Sequence, residues 1–101
     1  FVPGVNLSRA ALAEPEIILD EILDNIREAY RLGIIHGDLS EFNVMVDERQ
    51  CWLIDWPQWV EIAHPNAGEI LARDIGNILQ YFKRKYGIEY AFEEALARVV
   101  E

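Results

Sequence analysis

The chain has 101 residues, of which 51% are hydrophobic and 27% are charged, and its formal net charge at pH 7 is −9. This length predicts at most one domain, and the composition is that of a folded globular protein and excludes a disordered segment. The negative charge argues against a strong nucleic-acid surface on this segment. A single cysteine excludes a disulfide framework, and no apolar run is long enough for a membrane helix. We therefore expect a cytoplasmic protein with no membrane contact.

The first predicted element is a helix that follows an irregular segment, residues 1–13. Pro15 lies in the first turn, where its missing N–H has little effect, and Gly33 is expected to end the helix in a left-handed conformation. The apolar residues recur at helical spacing, which predicts one buried face. They are Ile18, Leu19, Ile22, Leu23, Ile26, Ala29 and Tyr30.

Two short strands and two further helices are predicted after the first helix. Residues 44–46 and 51–54 are rich in apolar residues and flank the polar segment 47–50, which predicts a β-hairpin. A long amphipathic helix is predicted from about residue 67 to residue 86, with Gly87 as its cap. A last helix is expected from about Glu89 to Val100.

Three polar residues near the predicted hairpin form the main candidate site. Asp38 can accept a proton from an attacking hydroxyl, whereas Asn43 and Asp55 offer oxygen ligands of the kind that Mg²⁺ prefers. Because a hairpin brings its two ends together, Asn43 and Asp55 are expected to lie side by side. Phosphoryl transfer requires this combination of one base and two metal ligands. The alternative is that all three residues only cap and bend turns.

Two other residues are candidates for supporting this site. His36 is interpreted as a structural histidine that holds the loop, with a role as a base as the alternative. Asp74 lies within the predicted long helix, where aspartate is mildly unfavourable. It either binds the backbone of the loop or is a plain exposed residue, and the sequence leaves both interpretations open.

Three segments together resemble a known family. The run from Gly33 to Asn43, then Ile54–Gln58 with its Asp-Trp-Pro-Gln, then His64–Ala67 with its His-Pro-Asn-Ala, is similar to the RIO family of atypical protein kinases. The last two segments are similar to its Rio-two subfamily. The resemblance covers nearly the whole chain and is centred on residues 30–87.

The resemblance implies a fold and a division of the chain. The expected class is α+β, a protein-kinase-like C-terminal lobe that is mostly helical, with a short β-hairpin that carries the metal site. Residues 1–13 would be the hinge between lobes, and residues 14–101 the C-terminal lobe. The lobe would contain a catalytic loop at 36–43 and a metal-binding loop at 54–58.

The resemblance also implies roles for individual residues. Asp38 would be the catalytic aspartate, and Asn43 and Asp55 the Mg²⁺ ligands, with Mn²⁺ as an alternative ion. Ser40 would approach phosphate or metal, and Val2 would contact the adenine of ATP through its backbone. His36 and Asp74 would support the loop from either side.

The chain lacks several parts that the family carries elsewhere. It has no glycine-rich loop, no strand lysine for the phosphates and no N-terminal winged helix, and it begins with Phe1. We therefore expect a truncated or processed chain that is inactive by itself. Its exposed lobe interface would favour dimerisation.

The implied function is ATP- and Mg²⁺-dependent phosphoryl transfer by a serine/threonine kinase or ATPase switch. Its implied partner is the pre-small-subunit ribosomal particle, during ribosome biogenesis. One alternative is a small-molecule phosphotransferase of the aminoglycoside or choline kinase type, which shares a similar His-x-Asp and Asn spacing. Another is an assembly factor that binds nucleotide without turnover.

Overall fold

The computed structural model describes residues 4–101, so Val2, the predicted adenine contact, lies outside the described residues. Over these residues the fold is a small α+β arrangement of three helices and two small antiparallel sheets. The strands are β1 (Val5–Asn6), β2 (Ile34–Ile35), β3 (Val44–Asp47), β4 (Gln50–Leu53) and β5 (Val60–Glu61). The helices are α1 (Pro15–Arg31), α2 (Ala67–Tyr86) and α3 (Phe92–Val100), and 3₁₀ turns occur at Leu7–Arg9 and Glu41–Asn43.

The predicted hairpin is present as β3 and β4, which pair antiparallel with Val44 opposite Leu53. A third strand, β1, pairs with the other edge of β3. The prediction that residues 1–13 are irregular is therefore wrong from Val5 to Arg9. A strand of two residues shows no alternation in the sequence, because its pairing depends on β3, which is distant along the chain.

A second sheet joins a strand before the hairpin to a strand after it. β2 and β5 pair antiparallel, with Ile34 opposite Glu61, and the Ile62 N–H donates to the Gly33 carbonyl at 2.9 Å. The sequence indicated only an apolar entry at 34–35 and a loop around 60. This pairing brings the segment after β4 back onto the loop that follows β2.

The bounds of the helices agree closely with those predicted from their apolar stripes, except at the start of α3. α1 begins at the predicted proline, and α2 has the predicted bounds and is capped by Gly87, whose φ is 68°. α3 begins at Phe92 and not near Glu89, because Ala91 before it is extended. The core combines the buried faces of α1 and α2 with β3 and Leu39 of the loop. None of the helices in residues 4–101 has the length and apolarity that crossing a membrane requires.

Candidate active site

The loop at 36–43 rests on α2 through Asp74. This carboxylate is 1% exposed, and each of its oxygens accepts one loop N–H: Gly37 donates to Oδ2 at 2.8 Å, and Leu39 donates to Oδ1 at 3.0 Å. A buried carboxylate needs such partners, because leaving it unpaired would be strongly unfavourable. Of the two interpretations that the sequence left open, the structure therefore has the buried, loop-binding one.

His36 joins this loop to the strand that leads to Asp55. Its ring is 3% exposed, and its Nδ1 accepts the Asp38 N–H at 3.2 Å. Since Nδ1 accepts, Nε2 carries the proton and donates to the Ile54 carbonyl at 2.7 Å. The Trp56 ring packs against it, with ring centroids 4.7 Å apart. His36 thus occupies a structural position between the two candidate loops.

Asp38 itself presents a solvent-exposed carboxylate. Within residues 4–101 that carboxylate takes part in no recorded hydrogen bond or ion pair, whereas its backbone is held on both sides. The Asn43 side chain donates its Nδ2 to the Asp38 carbonyl. This bond leaves the Asn43 Oδ1 as an unused acceptor, which is the atom that a hard cation would bind.

Asp55 follows directly after the hairpin ladder. The Ile54 N–H donates to the Asn43 carbonyl at 2.8 Å, which extends the pairing by one step and places Asn43 and Asp55 at the same end of the hairpin. Asp55 is exposed, and its φ of 57° lies in the left-handed region, which is uncommon for residues other than glycine. Such conformations are concentrated at functional sites.

The donor set at this end of the hairpin fits a hard divalent cation. An amide oxygen and a carboxylate suit Mg²⁺ or Mn²⁺ better than softer metals. No three His, Cys, Asp or Glu side chains come together as a metal site in the described part of the chain. Two protein ligands are nevertheless the usual number for a Mg²⁺ ion that is also bound by phosphates and water.

Ser40 and Gly37 shape the loop around Asp38. The Ser40 Oγ accepts the Phe42 N–H at 3.3 Å and so caps the 3₁₀ turn that leads to Asn43. Gly37 has a φ of 93°, and a Cβ at this position would lie 2.1 Å from the Gln58 carbonyl oxygen. The loop at 36–43 therefore contacts the segment after Asp55 so closely that only glycine fits at position 37.

Sequence reasoning missed two further contacts from α2. The Arg73 Nη2 donates to the Gly37 carbonyl at 2.7 Å, and the Asn77 Nδ2 donates to the Leu39 carbonyl at 3.1 Å. The sequence feature that could have indicated these contacts is Asp74, which interrupts the apolar stripe of α2. A charged residue on a buried face predicts a polar partner, and its neighbours on the helix are natural candidates.

A groove of about 720 Å³ lies elsewhere in the described residues. Of the predicted site residues that the structure describes, none lines it. Its lining comes from α2, the connection to α3 and the first residue of α3: Gly76, Leu79, Gln80, Lys83, Arg84, Ile88, Glu89, Tyr90 and Phe92. Because the polar groups that could act in chemistry converge at the hairpin, we place the site there despite the volume of this groove.

Comparison with protein families matches residues 2–95 to the RIO domain. The chain belongs to the RIO domain family. It is 46% identical over 95 residues to the RIO-type serine/threonine-protein kinase Rio2 of Methanocaldococcus jannaschii, a match that covers 87% of this chain and 35% of the relative. It is 45% identical over 74 residues to the RIO-type kinase Rio1 of Thermoplasma acidophilum, covering 73% of this chain and 39% of the relative. The chain thus spans little more than a third of these relatives.

The fold also matches a solved RIO structure. The Rio2 kinase of Chaetomium thermophilum, crystallised as an ADP/Mg²⁺–phosphoaspartate complex, superposes with a TM-score of 0.81 at 24% identity. The match covers 98% of this chain and 34% of that one. The predicted membership of the RIO family, with its Rio2 likeness, and the α+β class are confirmed. The residue roles stay predictions.

Proposed function

We propose that this chain is the C-terminal lobe of an ATP- and Mg²⁺-dependent serine/threonine kinase of the RIO family. The observation that supports this proposal is the convergence of three groups at one end of the hairpin. Asn43 is joined to Asp38 through a side-chain bond to its carbonyl, and to the residue before Asp55 through the strand ladder. The names of the relatives support a protein kinase over a small-molecule phosphotransferase.

The chemistry follows from the donor set. Bound MgATP would supply the phosphoryl group and neutralise its charge. The Asn43 Oδ1 and the Asp55 carboxylate would hold the cation, and the exposed Asp38 carboxylate would accept the proton of the attacking hydroxyl. Ser40, at the start of the 3₁₀ turn, and Val2 are proposed as further nucleotide contacts. The isolated chain is proposed to be inactive, because a kinase also needs groups that grip the phosphates.

An ATPase switch is the second candidate, and one observation favours it. The matching Rio2 structure contains ADP, Mg²⁺ and a phosphoaspartate. This chain presents two exposed carboxylates, Asp38 and Asp55, at its candidate site. In this version the phosphoryl group would pass to an aspartate and then to water. The partner would be a pre-small-subunit ribosomal particle in the cytoplasm, and the lobe interface of this chain would allow dimers.

The experiment compares three substitutions in the full-length enzyme that contains this chain. Asp38→Asn and Asp55→Asn should each lower kcat by about 10²–10³-fold or more, because each removes a charge that acts on the reacting groups. Asp47→Asn is the matched control, since Asp47 is exposed at the other end of the same hairpin. Activity is measured as ³²P transfer from labelled ATP to a protein substrate.

The same assay separates the two candidates. Transfer to serine or threonine supports the kinase, whereas phosphate release with a hydroxylamine-labile label on the enzyme supports the switch. Full activity of either Asp38→Asn or Asp55→Asn would contradict the proposed site. If only the Asp47→Asn control retains activity, the site is supported.

A further inference from the structure

The two peptide groups on either side of Asp38 are fully hydrogen-bonded by side chains. In the peptide after Asp38, the carbonyl accepts from Asn43 and the Leu39 N–H donates to Asp74. In the peptide before Asp38, the Asp38 N–H donates to His36, and the Gly37 carbonyl accepts from Arg73. The backbone of this one residue is therefore fixed by four different side chains.

Three of these four partners have an evident reason to be there. Asn43 is a proposed metal ligand, His36 links the loop to the strand before Asp55, and Asp74 is the buried anchor of the loop. Arg73 has no comparable role. Within residues 4–101 it forms no recorded ion pair, and its one recorded hydrogen bond, at 2.7 Å, is to the Gly37 carbonyl.

The peptide that Arg73 holds is the one most in need of a second bond. A peptide group rotates as a plane, and its orientation depends on the φ and ψ angles beside it. For the peptide between Gly37 and Asp38 these angles are the ψ of Gly37 and the φ of Asp38, and Gly37 has no side chain to restrict its ψ. The His36 bond holds one end of this plane, and the Arg73 bond holds the other. Rotation of the plane would break both bonds.

We propose that Arg73 is a positioning residue for Asp38. By holding the Gly37 carbonyl, it fixes the peptide before Asp38 and so directs the carboxylate toward the reacting hydroxyl. This inference rests on the proposed function, in which Asp38 acts as the base. It predicts that Arg73 affects the chemical step and not the affinity for ATP, because its contact is to the loop backbone.

The test uses the full-length enzyme and four variants. Arg73→Met removes the donor but keeps a long side chain, and it should lower kcat by about 10–100-fold, the range seen when groups that orient a reacting residue are lost. The KM for ATP should change by less than about twofold. Arg73→Lys should recover most of kcat, since an ammonium group can also donate to the carbonyl. Gln80→Ala is the matched control, because Gln80 is exposed farther along the same stripe of α2.

Asp38→Asn, measured in the same assay, distinguishes a wrong proposed function from a wrong role for Arg73. If Asp38→Asn keeps full activity, the proposed function is wrong. If Asp38→Asn is inactive while Arg73→Met equals Gln80→Ala, only the role of Arg73 is wrong. A rise in the KM for ATP that accounts for the whole effect would assign Arg73 to nucleotide binding and overturn the inference. Equal losses of kcat and of thermal stability in Arg73→Met and Arg73→Lys would show a merely structural role and overturn it too.

Discussion

The two exposed aspartates of the site are held in opposite ways. Asp38 has both flanking peptides hydrogen-bonded to side chains, including the buried Asp74. Asp55 lies just beyond the strand ladder with a φ of 57°. In the part of the chain that the structure describes, its own N–H and carbonyl have no recorded partner. The backbone of Asp38 is held by side chains from several parts of the fold, whereas the backbone of Asp55 is held mainly by the strand before it.

Under the proposed roles this difference has a reason: the protein positions Asp38, whereas the bound cation can orient Asp55. A base must be in position before the hydroxyl arrives, because proton transfer depends on hydrogen-bonding distance and direction. A metal ligand can be oriented by the cation that it binds, so less of its geometry has to be supplied by the protein. The observed placement of the buried Asp74 bonds on the Asp38 loop agrees with these proposed roles.

The largest expected effect on stability follows from removing the anchor of that loop. Asp74→Ala would leave the Gly37 and Leu39 N–H groups buried and unpaired, at about 1–3 kcal/mol for each group. We expect the free energy of unfolding to fall by about 2–6 kcal/mol, measured by urea denaturation. Asp47→Ala, at an exposed hairpin end, is the matched control and should change it by less than about 0.5 kcal/mol. A loss no larger than the control's would mean that the Asp38 loop is no better held than Asp55.

The second prediction concerns the contact between the two loops. Gly37 and Gly33 have nearly the same φ, 93° and 91°, but a Cβ at Gly37 would lie 2.1 Å from the Gln58 carbonyl oxygen, whereas one at Gly33 has nothing within 4 Å. Gly33→Ala therefore measures backbone strain alone, about 1–2 kcal/mol. Gly37→Ala adds the steric clash, and we expect it to destabilise the protein by about 1–3 kcal/mol more.

Thermal or urea unfolding of the two alanine variants gives this difference directly. If both variants lose the same stability, the segment after Asp55 moves away from the loop without penalty. The two regions would then be independent, and the contact through Gly37 would not link them.

Much of this arrangement could be predicted from local patterns. The 3.6-residue periodicity gave the bounds of α2, and the polar turn at 47–50 gave the hairpin. The spacing of Asn43 and Asp55 then predicted that they share one end of that hairpin, as the ladder shows. These features depend on neighbouring residues, which is why the sequence contains them.

The features that were missed depend on distant residues. β1 and the pairing of β2 with β5 involve strands of two residues each, which are too short for any pattern. The Arg73 contact could not be predicted because it joins a helix residue to a backbone carbonyl, and every residue type offers the same carbonyl. The interruption of the apolar stripe at Asp74 left the contact between α2 and the loop as one of two interpretations, and the family resemblance favoured it.

The smallest predicted effect tests whether β4, which leads to Asp55, stays closed to water. Burial raises the pKa of the Cys51 thiol to about 12, with the Glu21 and Asp24 carboxylates adding to it, from an ordinary value of 9.0. Because the folded state binds the thiol proton more tightly, its contribution to stability is complete below about pH 9 and declines as the pH rises toward about 12. Between about pH 8.5 and pH 10, wild type should lose about 1 kcal/mol more of its unfolding free energy than Cys51→Ala.

The comparison uses the pH slope and not the absolute stability, since Cys51→Ala also removes buried volume. All other titrating groups are shared by the two proteins, so their contributions cancel. Parallel slopes would mean that water reaches the thiol and that β4 opens readily. The conformational freedom of Asp55 would then extend back along β4. A steeper slope in wild type would mean that this conformational freedom is confined to Asp55, which a cation is proposed to orient.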